Sequence, residues 1–336
     1  MNRRDSMLAL LAMAAASGPF PAHAQQAVRR PYRIAMVPDI PPAWAASMLK
    51  IFSETLRESG RIEGRDYVIY RSGVYYGPDT KLAVERALEA QPDLMVTMNL
   101  GYAVEAQKRT KTIPIVMWVS GFPVEGGVAE SLARPGRNVT GMTIYAGGEV
   151  FGKLVAMVHE AKPGAKRIGA IMSYVPPFHP RAEADLIIRG MRDAAGTLGL
   201  DLQIFEFAKS EQIDDALAWI VAQGVEALVL TSDASIEPHK QKITQFGIAK
   251  RLPTITDADW ARVEPKPLLS YHARFDILMR QAAVYVNRIL WEGAKPGDLA
   301  IQLPATFKFV VNLKTAKAIG LTIPQSMLMR ADQVIE

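Results

Sequence analysis

No cysteine occurs anywhere in the 336-residue chain. That excludes disulfide staples, a thiolate nucleophile, a cysteine metal cage and a lipid-bearing cysteine anchor. Long apolar runs are scarce as well. The one unbroken stretch, 7–16, falls far short of the ~20 residues needed to span a bilayer, and no later segment approaches that length. Basic runs interleaved with aromatics are missing; Lys108, Arg109 and Lys111 form the densest cluster, so nucleic acid is not an expected partner. Catalytic signatures are absent too. There is no G-x-S-x-G elbow and no H-E-x-x-H helix, and His159, His179, His239 and His272 are too scattered for metal-ligand spacing. No metal, no cofactor and no enzymatic activity are expected.

What is present describes an ordinary globular chain. Hydrophobic residues make up 49%, charged 22% and aromatic 8%, and the length suits two compact units rather than one. The N-terminus reads as a secretory leader. Arg3 and Arg4 precede the apolar run, Gly18, Pro19 and Pro21 break it, and Ala22-His23-Ala24 offers a cleavage site before Gln25. Residues 1–24 are therefore expected to be removed and the mature chain exported to the periplasm by the Sec or twin-arginine route. Their loss takes away one net positive charge from the +5 of the whole chain.

Apolar strands and amphipathic helices then alternate. Strands are expected at 33–37, 67–70, 94–97 and 115–119, with helices at 44–59, 80–90 and 103–109 between them. The pattern repeats beyond residue 150, with helices at 151–160, 182–198 and 211–223, the last behind an N-cap Ser210, and strands at 168–172, 202–207 and 227–230. Continuous apolar strands joined by helices indicate parallel sheets covered on both faces. A weak internal echo supports two similar lobes: Ala90-Gln91 before the strand at 94 matches Ala222-Gln223 before the strand at 227, and Lys108-Arg109 before Pro114-Ile115 matches Lys250-Arg251 before Pro253. Gly147 to Lys153 almost spells a phosphate-binding loop. Leu154 stands where a serine or threonine would have to ligate magnesium, so that stretch is read as helix.

Several motifs carry a resemblance. Pro123-Val124, Gly127, Ser131-Leu132-Ala133-Arg134-Pro135-Gly136 and Asn138-Val139-Thr140-Gly141 form one block. Phe309-Val310-Val311-Asn312-Leu313-Lys314-Thr315-Ala316-Lys317, Gly320-Leu321-Thr322-Ile323-Pro324 and Arg330-Ala331-Asp332 form another. Together they resemble the tryptophan-binding-protein-like family of ABC-importer solute-binding proteins, over essentially all of 31–336. The resemblance implies a type I periplasmic binding protein: two doubly wound, Rossmann-like parallel-sheet α/β lobes joined by a three-segment hinge, with a small molecule held in the cleft. It implies an N-terminal lobe of 31–142 plus 271–308 and a C-terminal lobe of 143–270 plus 309–336. An ABC permease in the inner membrane is the implied partner, and a monomer is expected.

In doubly wound sheets ligands bind beyond the carboxyl ends of the strands. The candidate segments are thus 38–44, 98–102, 120–123, 173–179, 231–235 and 256–260, with crossings near 143–145 and 270–272. Asp39 is either a turn residue or a ligand contact, and Trp44 and Phe122 are either lobe core or cleft wall. Asn99 is a helix cap or a ligand donor. Leu100, Tyr102, Ser120 and Tyr145 lie on the same loops and crossings. Tyr174 and Phe178 flank the stiff Pro176-Pro177 pair. Ser232, Asp233 and Asp257 stand at strand ends, where capping competes with capture of an ammonium or hydroxyl, and Tyr271 is a hinge or ligand residue.

Two departures bear on the ligand. Phe122 stands where the family commonly carries an aspartate before its Pro-Val pair, and Leu100 where a small polar residue is usual. An α-ammonium left unpaired would cost ~1–3 kcal/mol or more, so the expected ligand is a small aromatic or apolar molecule, aromatic carboxylates included, ahead of a free amino acid. His272 and Arg137 stand where the family tends to have glycine. A periplasmic sensory role on the same fold is the alternative to import.

Overall fold

The computed structural model describes residues 30–39, 42–75, 77, 79–145, 147–173, 181–231, 235–259 and 264–336, without the side chains of 42–45 and 210. The proposed leader, Tyr174, Phe178, Ser232, Asp233 and the side chain of Trp44 lie outside them. Two parallel-sheet α/β lobes result. The first sheet has the order β2-β1-β3-β4-β5, built from β1 (Tyr32–Val37), β2 (Tyr67–Arg71), β3 (Leu94–Thr97), β4 (Ile115–Met117) and β5 (Val139–Gly141), every pairing parallel.

The continuous apolar character of β1 has a direct use. Ile34 and Met36 join a core with Phe52 and Leu56 of α1 (Pro42–Glu58) and Leu278, Met279 and Ala282 of α8 (Phe275–Leu290). Ala35 and Val37 face the opposite core, with Ala83 and Val84 of α2 (Thr80–Glu89) and Ala103 and Ala106 of α3 (Leu100–Arg109). Helices on both faces thus require apolar residues at every strand position.

The second sheet has the order β12-β11-β10-β9-β8-β6-β7. Its strands are β6 (Arg167–Ser173), β7 (Asp201–Phe207), β8 (Ala227–Leu230), β9 (Thr254–Thr256), β10 (Leu269–Ala273), β11 (Phe307–Asn312) and β12 (Gln333–Ile335). On one face Ile168, Ala170 and Val229 pack under α4 (Glu149–Ala161) and α5 (Arg181–Leu198). On the other, Ile171, Leu228 and Leu230 meet α6 (Ile213–Ala222) and α7 (Lys240–Ala249). Short helices α9 (Leu313–Ile319) and α10 (Gln325–Arg330) lead into β12. Strand order reverses at β1 and at β6, so each lobe has its crevice beyond the carboxyl ends of two neighbouring strands.

The chain passes between the sheets three times: after β5, after β10, and again on the way into β11. Those passages explain the one antiparallel pairing among the described strands. After β10 the chain leaves to build α8 on the first lobe and returns to the same end of the sheet, so β11 runs back antiparallel, with Tyr271 opposite Phe309. Two local expectations are corrected. Helix α6 begins at Ile213 after a 3-10 turn, Ser210–Gln212, and its N-cap is Gln212. The Gln212 Oε1 accepts from the amides of Ala208 and Lys209, 3.0 Å each, and so ties the turn that leads into the helix. Helix α3 starts at Leu100, three residues before the apolar periodicity shows it, because Asn99 caps it.

The phosphate-loop-like glycines serve packing. A Cβ on Gly190 of α5 would lie 1.9 Å from the Gly148 carbonyl oxygen, and one on Gly152 of α4 would lie 2.7 Å from that of Gly190. Backbone meets backbone where α4 and α5 cross, which only glycine permits. Among the described residues no helix is long and apolar enough to cross a membrane.

Candidate functional site

Beyond β1, Asp39 is 3% exposed, and its Oδ2 accepts from the Gly73 amide at 3.1 Å with the Arg71 Nε at 3.5 Å. Among the described residues its Oδ1 is buried without a hydrogen-bond partner. On the neighbouring strand end, Asn99 caps α3 by accepting from the Tyr102 amide at 3.3 Å. Leu100 and Tyr102 turn inward. Leu100 packs in the first-lobe core against Gly126, and Tyr102 is fully buried with its hydroxyl donating to the Gly77 carbonyl (2.6 Å) and accepting from the Gly77 amide (3.0 Å). Burial pushes the Tyr102 hydroxyl well above the usual phenol range. Tyr102→Phe is expected to cost ~1–3 kcal/mol, because both Gly77 groups lose their partner, while leaving ligand affinity within twofold; denaturant unfolding and titration calorimetry separate the two effects.

After β4 the chain forms a tight loop that reaches the other lobe. The Ser120 carbonyl accepts from the Ile144 amide at 2.7 Å and from Thr143 Oγ1 at 3.1 Å, tying the loop to the first passage. Phe122 has φ +42°, a left-handed conformation that non-glycine residues rarely adopt. That backbone turns its ring, 3% exposed, into the second-lobe core. There it stacks on Tyr145 (5.6 Å, 29°), and Tyr145 in turn tilts against Phe151 of α4 (4.7 Å, 54°). The Tyr145 hydroxyl donates to Asp257 Oδ2, just beyond β9.

Gly121 brings a second carboxylate close. A Cβ at that position would lie 2.6 Å from Glu183 Oε1 and 3.3 Å from Tyr145 Cδ2. Phe122, Tyr145, Phe151, Glu183 and Asp257 therefore form one cluster of aromatic faces with two carboxylates, 7% and 5% exposed. Its rings belong to the second-lobe core, and its carboxylates are the charged acceptors buried beside them. Sequence reasoning missed Phe151 and Glu183. Both lie on helices, where an apolar aromatic and one carboxylate among 34 acidic residues carry no local signal.

Tyr271 stands apart from this cluster, on the second passage. It stacks on Phe307 at the start of β11 (5.0 Å, 7°) and accepts from Lys153 Nζ at 2.6 Å. Phe307 packs against the first-lobe core and Tyr271 against the second, so this stack joins the two cores at the hinge.

A family model described as ABC transporter substrate binding protein matches residues 48–335. The "Tyrosine-binding protein" of Clostridioides difficile (strain R20291) is 22% identical over 273 residues, 81% of this chain and 76% of that protein. A solved ABC domain from Streptococcus pneumoniae in complex with L-Trp superposes with a TM-score of 0.78 at 22% identity, covering 91% of this chain and all of that one. A conserved domain protein from Vibrio cholerae gives the same TM-score at 23% identity, covering 90% of this chain and 99% of that one. At these identities the solved structures establish the fold, that of type I periplasmic binding proteins.

Proposed function

The chain belongs to the ABC transporter substrate-binding family, and from that premise we propose that it is the exported solute-binding component of an importer, which closes its two lobes on a small aromatic molecule and presents it to a membrane permease. The observation that carries the ligand class is the stack of Phe122 on Tyr145 against Phe151, flanked by Glu183 and Asp257. The first lobe, 31–142 plus 271–308, supplies Asp39, Asn99, Ser120 and Phe122 to the ligand's surroundings, with Tyr271 at the second passage between the lobes. The second, 143–270 plus 309–336, supplies Tyr145 and Asp257, together with Tyr174, Phe178, Ser232 and Asp233. Leu100 and Tyr102 back the first-lobe wall, and Trp44 is proposed as a further ligand contact.

The loss of a polar anchor at Phe122 argues against a free amino acid, and the two buried carboxylates argue the other way. They favour an aromatic ligand with a hydrogen-bond donor at its rim over one bearing only a carboxylate, since like charges brought together in a desolvated site repel. The printed names of two relatives, one binding tyrosine and one solved with L-Trp, support aromatic amino acids as the first comparators.

Function follows from differential contact. A molecule that touches both lobes only when they are together shifts the population toward the closed form, by no more than its difference in affinity for the two states. The permease then reads the closed form, and ATP is hydrolysed by a separate protein. A thermal-shift series of aromatic amino acids, aromatic amines, aromatic carboxylates and saturated analogues tests this reading. A matched aromatic ligand at 100 times its Kd adds ~2.7 kcal/mol. Stabilisation by the saturated analogues alone would sink the aromatic reading.

A further inference from the structure

The second passage between the lobes carries a titratable ring in an unusual position. His272 is the penultimate residue of β10 and is 4% exposed. Its Nδ1 lies 2.9 Å from the Ala273 carbonyl oxygen, an acceptor, so Nδ1 holds the proton of the neutral ring. Its Nε2 is buried and has no hydrogen-bond partner among the described residues.

The surroundings belong to both lobes. The ring sits 6.0 Å from that of Phe275, the first residue of α8, and Phe275 meets the edge of Trp118 in the first-lobe core at 6.3 Å. Across the strand pair, His272 is in register with Lys308 of β11. The charged groups that face it are Asp259 beyond β9, Lys308 on β11, and Arg274 next along the chain, which is itself paired with Asp276 of α8 at 2.7 Å. Burial holds the imidazole below its ordinary value; Asp259 opposes this, whereas Lys308 and Arg274 add to it.

A proton on Nε2 would place a buried charge where no acceptor waits, beside two cations. Such a charge is relieved by hydration. Phe275 and the first-lobe elements behind it cover one side of the ring, so their parting from β10 admits water to it. We propose that His272 is a proton-operated release built into the hinge: neutral, it keeps the second passage packed as described, and protonated it frees the lobes to separate. The proposal rests on the reading that the lobes hinge, and needs no knowledge of the ligand.

The sign follows from linkage. Because the packed arrangement binds the proton less readily than an exposed histidine does, it is fully stable above the ordinary pKa near 6.5 and loses stability as pH falls below that value toward the depressed one. For an exported protein that is a range its surroundings can reach.

The cysteine-free chain suits spin labelling. Labels at Lys81→Cys on α2 and Arg192→Cys on α5 report the distance between the lobes by electron–electron resonance, at pH 7.5 and pH 5.0, in the natural background and with His272→Gln. The expected result is a shift to longer distances at pH 5.0 in the natural background and none with His272→Gln. An unmoved natural distribution, or an equal shift in the variant, overturns the proposal. Should His272→Gln fail to fold, the histidine NMR titration of the natural chain decides: an unperturbed His272 pKa overturns it, a depressed one supports it. At constant pH 7.5 the same labels read closure by a stabilising aromatic ligand. If ligand moves them and acid does not, the release is wrong and the hinge stands; if neither does, both fall.

Discussion

Gly190→Ala is expected to be among the most damaging single-methyl additions in the chain. The new Cβ would stand 1.9 Å from the Gly148 carbonyl oxygen, which is backbone and cannot rotate away. Helices α4 and α5 must then move apart, and Phe151, Leu154, Ile187 and Met191 lose the packing of the second-lobe core. Overpacking commonly costs ~1–3 kcal/mol, and more where the backbone has to shift, so a loss at or above the upper end is expected. A thermal midpoint lower by ~6–12 °C follows from ~3 kcal/mol at ~2–4 °C per kcal/mol. Gly196→Ala on the same helix, where a Cβ meets nothing within 4 Å, is the matched control and should be neutral or slightly stabilising. Equal midpoints for the two variants would mean that α4 and α5 do not cross at these glycines.

Phe122→Ala is the second large effect. It removes a ring buried to 3% between two lobes, and truncations of this kind cost ~3–5 kcal/mol. The left-handed backbone at φ +42° supplies a discriminating control. Glycine adopts that conformation freely, so Phe122→Gly should recover ~1 kcal/mol relative to Phe122→Ala, although it is the smaller residue. Loss of the stack on Tyr145 should also weaken an aromatic ligand, by roughly tenfold if one aromatic contact of ~1.4 kcal/mol disappears. Denaturant midpoints rank the stabilities, and calorimetry with the ligand from the thermal-shift series reads the affinity.

Much of the architecture was legible because burial imposes simple patterns. The runs Ile34 to Val37 and Leu94 to Val96 are apolar at every position because helices cover both faces of their sheet, a pattern that implies parallel strands. The antiparallel β11 was not legible. Its direction is set by where the chain re-enters the lobe, a tertiary fact with no trace in the pattern of Phe307 to Asn312. The glycines at 147, 148 and 152 resemble a phosphate loop because close helix packing and phosphate binding both call for a backbone without a Cβ; Leu154, where a magnesium ligand would have to stand, is what separated the two in the sequence. Asn99 needed no choice at the level of structure, since its side chain caps α3.

The site divides along the same line. Tyr145 and Asp257 could be named from their places on a passage and a strand end, yet their hydrogen bond joins residues 112 positions apart. Phe122 reaches the second-lobe core only because its backbone takes a left-handed turn, which no aromatic residue advertises. Glu183 enters through the lack of a side chain on Gly121. Residues that act through such close approaches become visible only when the lobes are assembled.

The central claim is that two α/β lobes move together around a small aromatic molecule. Small-angle X-ray scattering of the mature chain at neutral pH, with and without a ligand whose binding calorimetry has confirmed, tests it most directly. The account predicts a smaller radius of gyration and a shorter maximum dimension on saturation. Superimposable curves with the ligand demonstrably bound would contradict it.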